Sequence, residues 1–167
     1  MEIIIQYIII FFLTLVPIFE LRWSIPIGML KGTLEIPLVG SITAFGLPPL
    51  TVFIVAVLSN MFLGIIAYLF FDKLINYFLK YKFINKHYIN FEKRTIKKSQ
   101  KIIEKYGAIG IALFVAIPIP GSGSWTGALI SKIFQIDCKK FLLANAIGVT
   151  IAGIIITLIS MGLLILI

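Results

Sequence analysis

A chain of 167 residues that is 60% hydrophobic, with a mean hydropathy of +1.08, holds more apolar surface than a soluble domain of its size can bury. Its formal net charge of +8 is gathered rather than spread: ten Lys and Arg face three acidic residues between Asp72 and Lys105. A single cysteine, Cys138, excludes an intramolecular disulfide and a Cys-based metal cluster, and a single histidine, His87, excludes His-rich sites and His-dependent triads within one chain.

The composition reads as a small all-α integral membrane protein, one membrane domain over residues 1–167. Met1-Glu2-Ile3 offers no basic leader and no small-residue cleavage site follows, so no secretory signal is expected. Ile3 to Val16 is apolar but spans only about 21 Å as a helix, short of the ~30 Å hydrocarbon core. It meets Pro17, Glu20, Arg22 and Pro26 before running apolar again to Leu30. A re-entrant hairpin over residues 3–30 accounts for this, turning near Glu20 and returning along Trp23–Leu30. Ile36 to Pro49 carries Pro37, Gly40, Gly46, Pro48 and Pro49 and reads as an interfacial or partly buried connector. Leu50–Phe71, free of charge, is a full span with Ser59, Asn60 and Gly64 midway.

Residues 72–105 form a basic linker. Phe91, Ile96, Ile102 and Ile103 fit loosely to a helix lying on the membrane with its lysines in water. The positive-inside rule accounts for the charge with no nucleic-acid partner, and anionic lipid head groups are a compatible partner. Gly107–Ile117 is again too short to cross. It runs into Pro118-Ile-Pro-Gly-Ser-Gly-Ser-Trp125, which predicts a second hairpin over 107–131. Phe141–Ile167 is the last span, with Asn145 and Gly148 near its start.

Residues 1–71 and 106–167 thus share a plan of short arm, Pro-containing break followed by Trp, short return and full span. With the linker cytoplasmic, Lys132, Lys139 and Lys140 also fall inside. That gives 13 basic residues inside, Lys31 outside and Arg22 within the membrane. The hairpins then enter from opposite sides as an inverted repeat, their tips meeting near the midplane of a multi-pass plasma-membrane protein.

Glu20 and Arg22 are the ionisable residues at membrane depth, where a charge costs roughly 2.5–3.5 kcal/mol on insertion scales. One reading is a fold-locking pair. The other gives Arg22 an anion to hold and Glu20 a coupling proton. At the second tip Gly121 and Gly123 can present bare N–H groups, Ser122 and Ser124 add hydroxyls, and a half-helix opening near Trp125 would turn its positive end to an anion. Close packing of small residues is the alternative. Asn60 and Asn145 read as interhelical hydrogen bonds before ligands. Trp23 and Trp125 serve equally as cavity walls or as packing. Ser-His-Asp, HExxH and Walker A patterns are lacking, so no enzyme, catalytic residue, metal or cofactor is expected.

At Phe19-Glu20-Leu21-Arg22, Ser24-Ile25-Pro26-Ile27-Gly28, Ala116-Ile-Pro-Ile-Pro-Gly-Ser-Gly-Ser-Trp-Thr-Gly-Ala-Leu129 and Asn145-Ala-Ile-Gly148 the chain resembles the small multidrug export protein family. Its architecture is also similar to the DedA superfamily, whose facing re-entrant hairpins imply flipping of polyprenyl phosphate or phospholipid head groups. DedA proteins place arginines in the second hairpin; here the second tip is uncharged, so the likeness carries over only Glu20, as the acidic tip residue.

Three functions follow as expectations. The first is a proton-coupled flippase of a lipid-linked anionic head group, its site between the tips, with Arg22, Gly121, Ser122, Gly123 and Ser124 as ligands and Trp23 and Trp125 beside them. The second is an exporter of amphipathic cations with Glu20 as binding charge. The third is a non-transporting scaffold acting through the basic linker. Four hydrophobic units make a thin bundle, which a homodimer would thicken.

Overall fold

The computed structural model describes residues 2–17, 19–36, 40–78, 106–119 and 121–166; the linker from 79 to 105, with its expected surface helix and His87, lies outside them, as does Pro120. The elements run α1 (Glu2–Leu15), α2 (Glu20–Met29), β1 (Lys31–Ile36), β2 (Gly40–Phe45), α3 (Pro49–Phe78), α4 (Ala108–Ala116), α5 (Ser124–Ile133) and α6 (Cys138–Leu166).

Two helices are long and apolar enough to cross a membrane, through Pro49–Phe71 of α3 and Cys138–Gly162 of α6. Both leave large apolar side chains exposed, Ile54, Leu58 and Ile65 on α3 and Leu143, Ile147 and Leu158 on α6 among them. In water such stripes would drive aggregation; against lipid they are the expected surface. Hydroxyls fold back onto their own helices: Thr14 donates to the Ile10 carbonyl, Ser24 to Glu20, Ser59 to Val55 and Ser131 to Gly127, at 2.6–2.7 Å. This satisfies each polar side chain without a partner outside its helix.

The chain packs as two compact units, Met1–Asn60 with Val149–Ile167, and Met61–Gly148, so each long helix contributes a segment to each unit. In the first unit α1, α2 and the start of α3 converge on Gly28. A Cβ there would lie 2.6 Å from Val52 Cγ1 and 2.9 Å from Ile10 Cδ1, so only glycine permits the approach. Tyr7 and Thr51 share a 2.6 Å hydroxyl hydrogen bond between α1 and α3. The second half of α6 lies against Phe53 and Val57 at Gly153.

The expected all-α fold is corrected here by a β-hairpin. β1 and β2 pair antiparallel, in register from Lys31 opposite Phe45 to Ile36 opposite Gly40. Pro37, Gly40 and Gly46 read as breakers of an apolar connector, yet two of them punctuate a hairpin. Thr33, Ile36, Ile42, Thr43 and Phe45 are the β-branched and aromatic residues that suit a pleated surface. The strands return onto the end of α2 through Gly46 N–H to the Leu30 carbonyl and Leu47 N–H to the Gly28 carbonyl, both 2.8 Å. An open two-stranded edge is not tolerated in hydrocarbon, and most of its side chains, Lys31 and Glu35 included, are exposed, so this hairpin belongs outside the lipid core.

The second unit contains the rest of α3, α4, α5 and the start of α6. Tyr68 stacks on Phe141 at 5.0 Å, joining α3 to α6. The Asn145 amide nitrogen occupies the space where a Cβ on Gly64 would sit. α3 continues to Phe78, past the span expected to end at Phe71. α2 opens at Glu20 itself, which narrows the first break to residues 16–19.

Candidate functional site

The first break forms because α1 runs out at Leu15 and Pro17 cannot supply the next helical N–H. The chain turns through Phe19 N–H and Glu20 N–H, both 3.0 Å from the Val16 carbonyl. Glu20 then opens α2 with φ +42°, the left-handed region, which costs a residue with a side chain on the order of 1–3 kcal/mol. Its side chain is 4% exposed. A strained backbone therefore delivers a carboxylate into an apolar unit. The Ser24 hydroxyl, 2.7 Å from the Glu20 carbonyl, braces the same residue from one turn along.

Arg22, half-buried, interacts with Glu20 through its charge. Two apart on α2, the side chains leave the helix on different faces, so this coupling does not require a regular helical ion pair. Pro26 lies inside α2 and has no N–H to give the Arg22 carbonyl one turn back; the helix ends with Leu30 N–H on the Pro26 carbonyl at 2.9 Å. Trp23 is half-buried next to Arg22 in the chain.

The second break is built from backbone. The Ser122 hydroxyl lies within hydrogen-bond reach of the Ile117 carbonyl and 2.9 Å from that of Ile119, and its oxygen faces the Ile119 N–H at 3.3 Å. Ser122 thus holds the turn together. Gly121 takes φ +89°, which a side chain would strain. Gly123 is extended and precedes α5, whose first residue, Ser124, is fully buried. Trp125 meets Phe71 edge-on at 5.0 Å and Phe70 at 5.7 Å, an aromatic cluster joining α5 to α3.

The expected residues fall into two groups. Glu20, Arg22, Trp23 and Asn60 belong to the first unit; Gly121, Ser122, Gly123, Ser124, Trp125 and Asn145 belong to the second. Asn60 and Asn145 are both fully buried, and the Asn145 Oδ1 has no hydrogen-bond partner among the described residues. No cluster of His, Cys, Asp and Glu fit for a metal ion occurs among the described residues.

Sequence reasoning missed two features. The Glu20 backbone strain has no composition signal, since the left-handed region favours Gly and Asn. The other is a polar recess at the start of α6. There Lys132 Nζ sits 3.4 Å from the Tyr68 ring centroid, and the Tyr68 hydroxyl donates to the Ile136 carbonyl at 2.8 Å. Tyr68 and Ile136 are 68 positions apart, so no local pattern could join them.

Two helices long and apolar enough to cross a membrane, two pairs of short helices and a buried carboxylate fit a small membrane protein. The chain belongs to the family described as "Putative small multi-drug export protein", whose model matches residues 20–155. The matched region opens at Glu20, just after the first break, and takes in the second break and Asn145. No curated protein and no solved structure matches the chain.

Proposed function

We propose that the chain is a small exporter of amphipathic cations in which Glu20 is both the binding charge and the proton carrier. One observation carries this reading: a carboxylate 4% exposed, inside an apolar unit, in a member of a small multi-drug export family. A bare carboxylate at membrane depth is costly, so it is held by Arg22, by a proton or by a bound cation. A proton and a cation cannot both neutralise it, and each arrival expels the other. That exclusion is the elementary step of an antiporter. Aromatic faces attract organic cations, and Trp23, three positions after Glu20 and in the same unit, supplies one.

The family favours this reading over flipping of a lipid-linked anionic head group. That function would rest on Arg22 as the sole charge, because the second tip holds none. The charge asymmetry supports a multi-pass topology with the basic linker cytoplasmic and each broken pair a re-entrant hairpin, the first from outside and the second from inside.

The chain has two tryptophans, so Trp125→Phe leaves Trp23, three positions from Glu20, as the reporter. In that background, quenching of Trp23 by ethidium in detergent is expected to saturate. Adding Glu20→Gln is expected to weaken binding about ten-fold or more, the loss of roughly 1.4 kcal/mol. Equal affinity in the two proteins would refute the assignment.

A further inference from the structure

The recess at the start of α6 lies wholly within the second unit, whereas Glu20, Arg22 and Trp23 belong to the first. It encloses about 430 Å³ and is lined by Tyr68, Leu69, Ser131, Lys132, Gln135 and Asp137, among others. Its depth is fixed by the helices that frame it. Tyr68 and Leu69 stand near the end of the apolar stretch Pro49–Phe71, and Cys138 opens the apolar stretch of α6. Both are points where a spanning helix meets water, so the recess lies at the membrane surface. Tyr and Lys are the residues that settle there, an apolar body in the acyl region and a polar end among head groups.

The chemistry of the lining is specific. Lys132 is set over the Tyr68 ring at 3.4 Å, which fixes its ammonium at the recess. The ring is itself fixed, stacked on Phe141 and tied by its hydroxyl to the Ile136 carbonyl. Gln135 holds φ +53°, a second strained residue without a glycine, and places an exposed amide at the rim. Asp137 faces the same space, but its Oδ1 accepts the N–H groups of Lys139 at 2.9 Å and Lys140 at 3.4 Å, so part of its charge is directed at the first turn of α6. With Lys139 and Lys140 exposed on that turn, three cations stand against one carboxylate among the described side chains. Leu69, 55% exposed, continues the apolar stripe of Ile65 and Ile66, so the recess opens sideways to acyl chains as well as to water.

We infer that this recess binds the phosphate head group of an anionic phospholipid, with Lys132 as the principal ligand and the acyl chains lying along the α3 stripe at Leu69. A basic pocket at the water-facing end of spanning helices, open to lipid on one side, suits such a ligand. A free phosphate would use the same ammonium but gain nothing from Leu69.

The test is retention of phosphatidylglycerol by the purified full chain, measured by native mass spectrometry from mixed micelles, with phosphatidylcholine and inorganic phosphate as the other probes. Preferential retention of phosphatidylglycerol is expected. Lys132→Gln should reduce it about five-fold, the factor carried by one lysine near a charged surface. Lys132→Arg, which can also stack on Tyr68, should keep it within about two-fold. Unchanged retention in Lys132→Gln would overturn the inference. So would an equal loss in the Lys139→Gln/Lys140→Gln protein, which would show diffuse surface charge instead. Displacement of the lipid by equimolar inorganic phosphate would overturn the lipid as the source. None of these outcomes bears on ethidium binding at Glu20, so the two proposals fail separately.

Discussion

Glu20 combines three properties that are individually unfavourable: a carboxylate, nearly complete burial and a left-handed backbone. Such combinations persist where the surroundings over-determine them, and they gather at functional sites. Arg22 gives the residue its counter-charge. If Glu20 binds cations, Arg22 competes with the substrate and its removal relieves that competition. Arg22→Ala is therefore expected to leave ethidium affinity equal to or higher than that of the natural chain in the Trp23 quenching titration. A ten-fold loss would instead mark Arg22 as part of the binding surface. The placing of this pair was legible in the sequence, because two charges interrupt an apolar run there. The positive φ at Glu20 was not, since it belongs to the turn in which Phe19 and Glu20 N–H meet the Val16 carbonyl.

The short helices were legible as elements because Pro17 and the Pro118–Gly123 stretch interrupt hydrophobic runs too short to cross a bilayer. The β-hairpin was hidden by the same signals: glycines such as Gly40 and Gly46 look like breaks when the apolar run is taken as one segment. What pins these elements is close approach. At Gly28 three helices meet at distances no side chain allows. Gly28→Ala is expected to lower stability by about 1–3 kcal/mol through overpacking. Gly28→Ala with Val52→Ala should recover part of that loss, since the two sites touch. Thermal unfolding in detergent measures both. Equal unfolding temperatures for Gly28→Ala and the natural chain would show that α1, α2 and α3 do not converge there.

On the scale of the molecule, membrane character and the division of charge are written in composition, while pairings across long stretches of chain are not. The Tyr68–Lys132 contact and the Gly64–Asn145 approach join residues that no local periodicity links. Function is likewise only partly legible. An acidic residue at a break suits lipid flipping and cation export alike, and membership of the small multi-drug export family favours export. The most direct measurement compares ethidium efflux with flipping of fluorescent polyprenyl phosphate in proteoliposomes holding a pH gradient. Gradient-dependent ethidium movement that Glu20→Gln abolishes is expected, with no movement of the lipid. Flipping of polyprenyl phosphate without ethidium transport, or ethidium transport that survives Glu20→Gln, would contradict it.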